Sequence, residues 1–230
     1  MKIKAAPILA ESVAIVASIL LAFGIQAWWE TRQESEERAN IAAALSADFR
    51  TTHDRLSAAI VTADILIDRT SAFMTLSADP SSVTRDSLQG LVGAVFGGPD
   101  FTPSLANYEG FLSSGKLALI EDFDLTAALA DFHRALSRWD ELARTRADVY
   151  YMGAIWELRR SLGTITVLAP GFGSTPSRFQ MGDRAFNEFA SEPEVYAAVE
   201  AVRAIHFNQR RTLQQMEDAS SRVLELLASE

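Results

Sequence analysis

The run "ESVAIVASILLAFGIQAWWE", Glu11–Glu30, constrains this chain more than any other stretch. From Ala5 to Trp29 the only charged residue is Glu11. An α-helix rises about 1.5 Å per residue, so some 20 apolar residues span the hydrocarbon of a bilayer. Ser12–Trp28 is slightly shorter, and Ile8–Ala10 complete the length if Glu11 lies near the headgroups. Trp28 and Trp29 then mark the opposite border, where amphipathic rings concentrate. Three readings compete. A removable signal peptide fits the basic start Met1-Lys2-Ile3-Lys4 and a cleavage site at Ala22-Phe23-Gly24. A buried helix of a soluble protein is the second, and a retained anchor is the third. Apolar character continues past the cleavage site into the tryptophans and on into a helical pattern, which favours the anchor.

This gives residues 1–29 as tail and transmembrane anchor and residues 30–230 as an extramembrane domain. Lysine and arginine on the two sides balance, Lys2 and Lys4 against Arg32 and Arg38. The free amino terminus and the short tail favour a signal-anchor with the amino terminus cytoplasmic and the bulk exported. Along one side of the span Ala10, Ala14, Ser18 and Ala22 recur every four residues, and Gln26 continues the row. Small residues at that spacing let helix backbones approach in lipid, and Gln26 adds a hydrogen-bonding group. The expected partners are the bilayer and, through this row, a second copy or another membrane protein. Alanine is common throughout the chain, so the row also arises without function.

Beyond Trp29 no Gly or Pro appears before Pro80. Ile41, Leu45, Phe49, Leu56, Ile60 and Ile67 keep helical spacing among charged residues, predicting one long helix over 30–77 with a weak point at Thr51-Thr52-His53. Short helices are expected at 83–96 and 103–113, the latter opened by Thr102-Pro103 as cap and first residue and closed by Gly115. Leu125, Leu129, Phe132, Leu136, Trp139, Ala143 and Tyr150 predict a helix over 123–164, capped by Asp122 or Asp124. Ser191-Glu192-Pro193-Glu194 reads as a capping box opening a last helix over 192–228. Its inner face is Val195, Val199, Val202, His206, Gln209, Leu213, Met216, Val223 and Leu227. No segment alternates as a strand does. The fold class is all-α: an amino-terminal transmembrane helix running into an antiparallel helical bundle.

Two stretches resemble an uncharacterised bacterial family of single-span membrane proteins. One matches Ile-Leu-x-Ala-x-x-Ile-x-x-Trp-x-Glu with Ile19, Leu20, Ala22, Ile25, Trp28 and Glu30. The other is similar to Tyr-x-x-Leu-x-Ser-Ser-Gly-x-Leu-x-Leu-Ile, with Tyr108, Ser113, Ser114, Gly115, Leu117, Leu119 and Ile120 matching and Phe111 in place of the first leucine. The resemblance implies a retained anchor in a bacterial inner membrane with a helical domain outside it. It implies no activity.

Chemistry is sparse. The net charge of −9 argues against nucleic acid, whose phosphates need a basic face. With no cysteine, disulfides and thiolate chemistry are excluded. His53, His133 and His206 each fall near the apolar face of a different long helix, but no Glu-x-x-His or His-x-x-x-His spacing occurs, and no metal or cofactor is expected. His206 and Gln209 interrupt an apolar stripe. They form either a register-fixing polar layer or, the favoured reading, a place where the bundle opens to water. Ser113-Ser114-Gly115 lacks a nucleophile elbow and reads as a helix end; Gly171-Phe172-Gly173 lacks the lysine of a phosphate loop. In the long loop 169–183, Phe172, Phe179 and Met181 are candidate partner contacts. The expectation is a non-enzymatic membrane-anchored scaffold or interaction module. The alternative is an extracytoplasmic ligand-binding, sensor-like module acting through a partner subunit.

Overall fold

A first helix, α1, spans Ala5–Ser77; Pro7 falls in its first turn, where a missing amide is tolerated, and beyond Gly24 no breaker occurs before Pro80. The computed structural model describes residues 5–79, 91, 95, 97–120, 122–151, 188 and 191–229, with side chains from Ser18 onward apart from those of 147 and 149–151. After α1 come α2 (Ala106–Ser114), a 3-10 turn (Lys116–Leu119), α3 (Phe123–Tyr151) and α4 (Pro193–Leu227). Among the described residues there is no strand, so the all-α expectation holds. The predicted helix 83–96, the loop 169–183 and the end of the predicted helix 123–164 lie largely or wholly outside the described residues.

Thr51-Thr52-His53 does not weaken α1, contrary to expectation. Thr52 is fully buried, and its hydroxyl donates to the carbonyl of Ser104 (3.1 Å) and accepts from the Ser104 amide (3.0 Å). A threonine satisfied by tertiary partners has no reason to compete with its own helix. At the other end α1 stops where the sequence says it should. The amides of Ala78 and Asp79 return to Met74 and Leu76 just before Pro80, which offers no amide.

The chain packs as two units, Met1–Asp48 with Leu105–Asp122, and Phe49–Ser104 with Phe123–Glu230. In the second unit α1 and α4 run antiparallel. Asp64 pairs with Arg210 (3.0 Å), Ser57 donates to Glu217 (2.5 Å), and Ser220 donates to the Phe49 carbonyl (3.3 Å). The third helix, α3, also lies against α4, where Arg138 donates to Gln215 (3.2 Å). The core between the three helices holds Phe49, Leu56, Phe73, Leu125, Phe132, Leu213 and Met216, all essentially without solvent contact, as the spacing predicted for most of them. Phe49 meets Phe132 edge to face at 5.0 Å, and Phe101 meets Trp139 at 5.8 Å. The Arg146 guanidinium lies over Gly98.

In the first unit α2 begins at Ala106, not at Pro103. Residues 102–104 belong to the second unit and are tied down within it: Arg55 donates to the Thr102 carbonyl (3.0 Å), and Ser104 is held by Thr52. The cap of α2 comes from a distant residue. Asp48, only 7% exposed, accepts from the Asn107 amide (2.8 Å), the Tyr108 amide (3.0 Å) and the Asn107 side chain (2.9 Å). A carboxylate at a helix amino terminus meets both orphan amides and the positive end of the helix dipole. Beneath it Tyr108 is buried, and burial pushes its hydroxyl above the ordinary 10.0. Gly115 ends α2 with φ 73, as its position predicted. That left-handed conformation suits glycine and lets its amide reach the Leu112 carbonyl (3.3 Å). Leu117 and Leu119 are half-buried and Ile120 is buried.

The last helix also starts differently from expectation. Its N-cap is Glu192 with no side-chain cap bond, and Ser191 turns back to the Glu188 carbonyl (2.8 Å), so the capping box does not form. Pro193 still opens the helix, where a missing amide costs nothing.

Candidate functional site

The exposed apolar band of α1 is the most unusual surface of the first unit. Ile19, Leu20, Leu21, Phe23, Ile25, Trp28 and Trp29 are each at least half exposed. Successive helical residues turn by about 100°, so Ile19, Leu20 and Leu21 alone point in three well-separated directions. Within the first unit, and among the described residues, no face of this stretch is covered by protein. Polar groups gather at its end. Arg32 lies over the Trp28 ring (5.8 Å) and bonds Glu36 (3.2 Å), and Thr31 returns to the Ala27 carbonyl (2.9 Å). Gln26 donates to Glu30 (2.9 Å) within the same helix, so its amide already has a partner of its own. Ser18, Ala22 and Gln26 are exposed, while the side chains of Ala10 and Ala14 lie outside the described residues. Among the described residues no helix is long and apolar enough to cross a membrane. Their side chains begin at Ser18, partway along the apolar run.

Next to this band, α2 lies along α1. Asp48 holds its start, and Lys116, just past its end, bonds Glu37 (2.8 Å). A groove of about 440 Å³ opens there, lined by Gln33, Glu36, Glu37, Asn40, Phe111 and Lys116. Ser113 and Ser114 bond the carbonyls of Gly110 and Phe111 (3.0 and 3.3 Å) in the last turn of the helix.

The second unit has a different candidate. His206 and Gln209 are wholly buried, which corrects the expectation that they lie at a wet opening. His206 Nδ1 stands 3.5 Å from Gln209 Oε1, at the limit of a hydrogen bond, and among the described residues Gln209 Nε2 has no hydrogen-bond partner. An unpaired buried amide costs about 1–3 kcal/mol. Gln209→Met, which keeps the volume and removes the polar atoms, is therefore expected to stabilise the chain by roughly 1 kcal/mol in urea unfolding. A loss of stability instead would show that the amide has an unseen partner.

The three histidines do not share an environment. His133 is exposed rather than on the apolar face, His53 is half-buried with Nδ1 unpaired among the described residues, and His206 is in the core. Among the described residues no group of three or more His, Asp or Glu is placed to hold a metal ion. On the outer face of the second unit, a groove of about 470 Å³ runs between α3 and α4 over Ala135 and Ala219. Its walls carry Arg134, Arg138 and Arg222. Arg134 pairs with Asp131, Arg222 with Glu225 (3.5 Å), and Arg138 with Gln215. Charges of both signs alternate there, so the groove has no strong preference for an anion. Sequence reasoning did not find it, because its small floor residues read as ordinary helical alanines. Phe172, Phe179 and Met181 lie outside the described residues. No known protein family, curated protein or solved structure matches the chain.

Proposed function

We propose that this protein is a membrane-anchored helical scaffold or interaction module with no catalytic activity. The apolar start of α1 holds it in the bilayer, and the bundle stands outside, on the periplasmic side of a bacterial inner membrane. One observation carries the reading: seven large apolar side chains between Ile19 and Trp29 are exposed around the whole helix. Burying each is worth about 1.5–3 kcal/mol, so covering them all is worth on the order of 10 kcal/mol or more. An all-round apolar helix belongs in lipid or a protein core, and within the first unit no protein surrounds it. The apolar sequence continues upstream to Ile8, the tryptophans sit at the polar border, and the resemblance to a single-span family points the same way.

The row Ala10, Ala14, Ser18, Ala22 and Gln26 is the proposed contact with a partner helix, either a second copy or another membrane protein. The intact chain is expected to stay in the membrane pellet at alkaline pH and to copurify with itself or a membrane partner in mild detergent. Ala14→Leu with Ser18→Leu is expected to abolish that assembly. Release of the chain by alkaline wash would overturn the anchor, and an unchanged assembly in the double variant would overturn the partner face.

The second reading is a ligand-binding, sensor-like module acting through a partner subunit. It draws on the unpaired Gln209 amide in the bundle core. A thermal-shift screen of small polar ligands tests it: a ligand that stabilises the parent chain and not Gln209→Met supports this reading, and no shift in either protein overturns it.

A further inference from the structure

We propose that the turn closing α2, Leu112 to Lys116, is a second contact with the membrane, resting on the outer headgroup layer. This inference depends on the anchor reading above. Two bonds fix the geometry. Asp48 holds the start of α2 and Glu37 holds Lys116 just past its end, so α2 descends antiparallel along α1 towards the apolar band. Glu37 lies a little over two helical turns beyond Trp29, roughly 12 Å along the axis. The headgroup layer adds about 5–7 Å outside the hydrocarbon. A tilt of about 20° towards α2, with neighbouring helices about 9 Å apart, lowers the turn by ~3 Å. These terms bring the turn to within about one side-chain length of the headgroup surface, which the exposed Leu112 can span.

Its composition suits that place. From Gly110 to Ile120 the only charge is Lys116, in a chain whose net charge is −9. Leu112 is 50% exposed, and Ser113, Ser114 and Gly115 around it are small and exposed. Lys116 is neutralised by Glu37, so the tip presents an exposed leucine among small uncharged residues, which fits the headgroup layer through apolar contact. Neither Leu112 nor the serines serve the bundle core. The Ser-Ser-Gly-Lys-Leu stretch, legible in the sequence only as a helix end, gains a role from where the fold puts it.

The chain has no cysteine, so a single introduced thiol labels uniquely. Leu112→Cys, Ala106→Cys and Ala27→Cys each replace an exposed side chain and leave the core intact. The full chain is reconstituted in phosphatidylethanolamine–phosphatidylglycerol vesicles containing a lipid with a nitroxide on its headgroup, and quenching of a thiol-linked fluorophore is read. The label at Leu112 is expected to lose emission together with the label at Ala27, while the label at Ala106, at the far end of α2, keeps it. If Ala27 is quenched and Leu112 behaves as Ala106 does, the second contact is wrong and the anchor stands. If Ala27 is not quenched either, the anchor reading falls and this inference with it.

Discussion

Phe132→Ala is expected to lower the stability of the bundle by about 3–5 kcal/mol, read as a shift in the urea midpoint of the chain in mild detergent. Phe132 and Phe49 are both at zero exposure, so neither neighbour nor solvent can move in to fill the space. Small domains are stable by about 5–15 kcal/mol, and the loss takes about a fifth or more of that. The edge-to-face contact at 5.0 Å and 70° adds a separable part. A double-mutant cycle with Phe49→Ala should leave a coupling of about 0.5–1.5 kcal/mol beyond the two cavities. A total loss under about 1 kcal/mol would mean that the two rings do not share one core.

Asp48→Ala should release α2. The substitution removes a charged acceptor from two backbone amides and from the Asn107 side chain in a site almost closed to water. Loss of a cap costs about 1 kcal/mol, and hydrogen bonds to a charged group are worth about 1.5–3. The expected cost is thus roughly 3 kcal/mol, confined to the first unit. Hydrogen exchange reads it locally: the Asn107 and Tyr108 amides should lose on the order of a hundredfold protection. Asp48→Asn keeps an oxygen acceptor but not the charge, and should lose about half as much free energy. Equal protection in all three proteins would show that α2 is held by its apolar contacts alone.

These two residues also show how far the sequence could be read. Phe49 and Phe132 fell on the periodic stripes of their helices, and so did most of the core, because burial at 3.6-residue spacing is a local pattern. Gly115 was legible for the same reason: its backbone requirement belongs to one position. Asp48 was not. It sits in the middle of a helix with nothing to distinguish it, and its role exists only because the fold brings Asn107 to it. Pro103 misled for the same cause, since Arg55 and Thr52 hold residues 102–104 out of the helix that proline would have opened. Ser191 offered a good local cap and spent its hydroxyl backward on Glu188. His206 and Gln209 looked like an opening because polar residues favour water, and the packing of α4 overrode that preference. The candidate membrane surface divides in the same way. Its hydrophobicity was evident in the letters, while the approach of Leu112 to it needed the antiparallel course of α2.

The pairing of α1 with α4 has a consequence for how the protein is made. Ser57 meets Glu217 across 160 positions and Ser220 meets Phe49 across 171. Ribosomes add roughly 5–20 residues per second, so the buried face of the helix made first waits on the order of 10 s for the helix that covers it. During that interval Leu56, Ala59, Ala63 and Phe73 have no permanent neighbour on α4. Nascent chains of this protein should therefore depend on a holding chaperone until α4 is made, and truncation within α4 should turn a folded product into a degraded one.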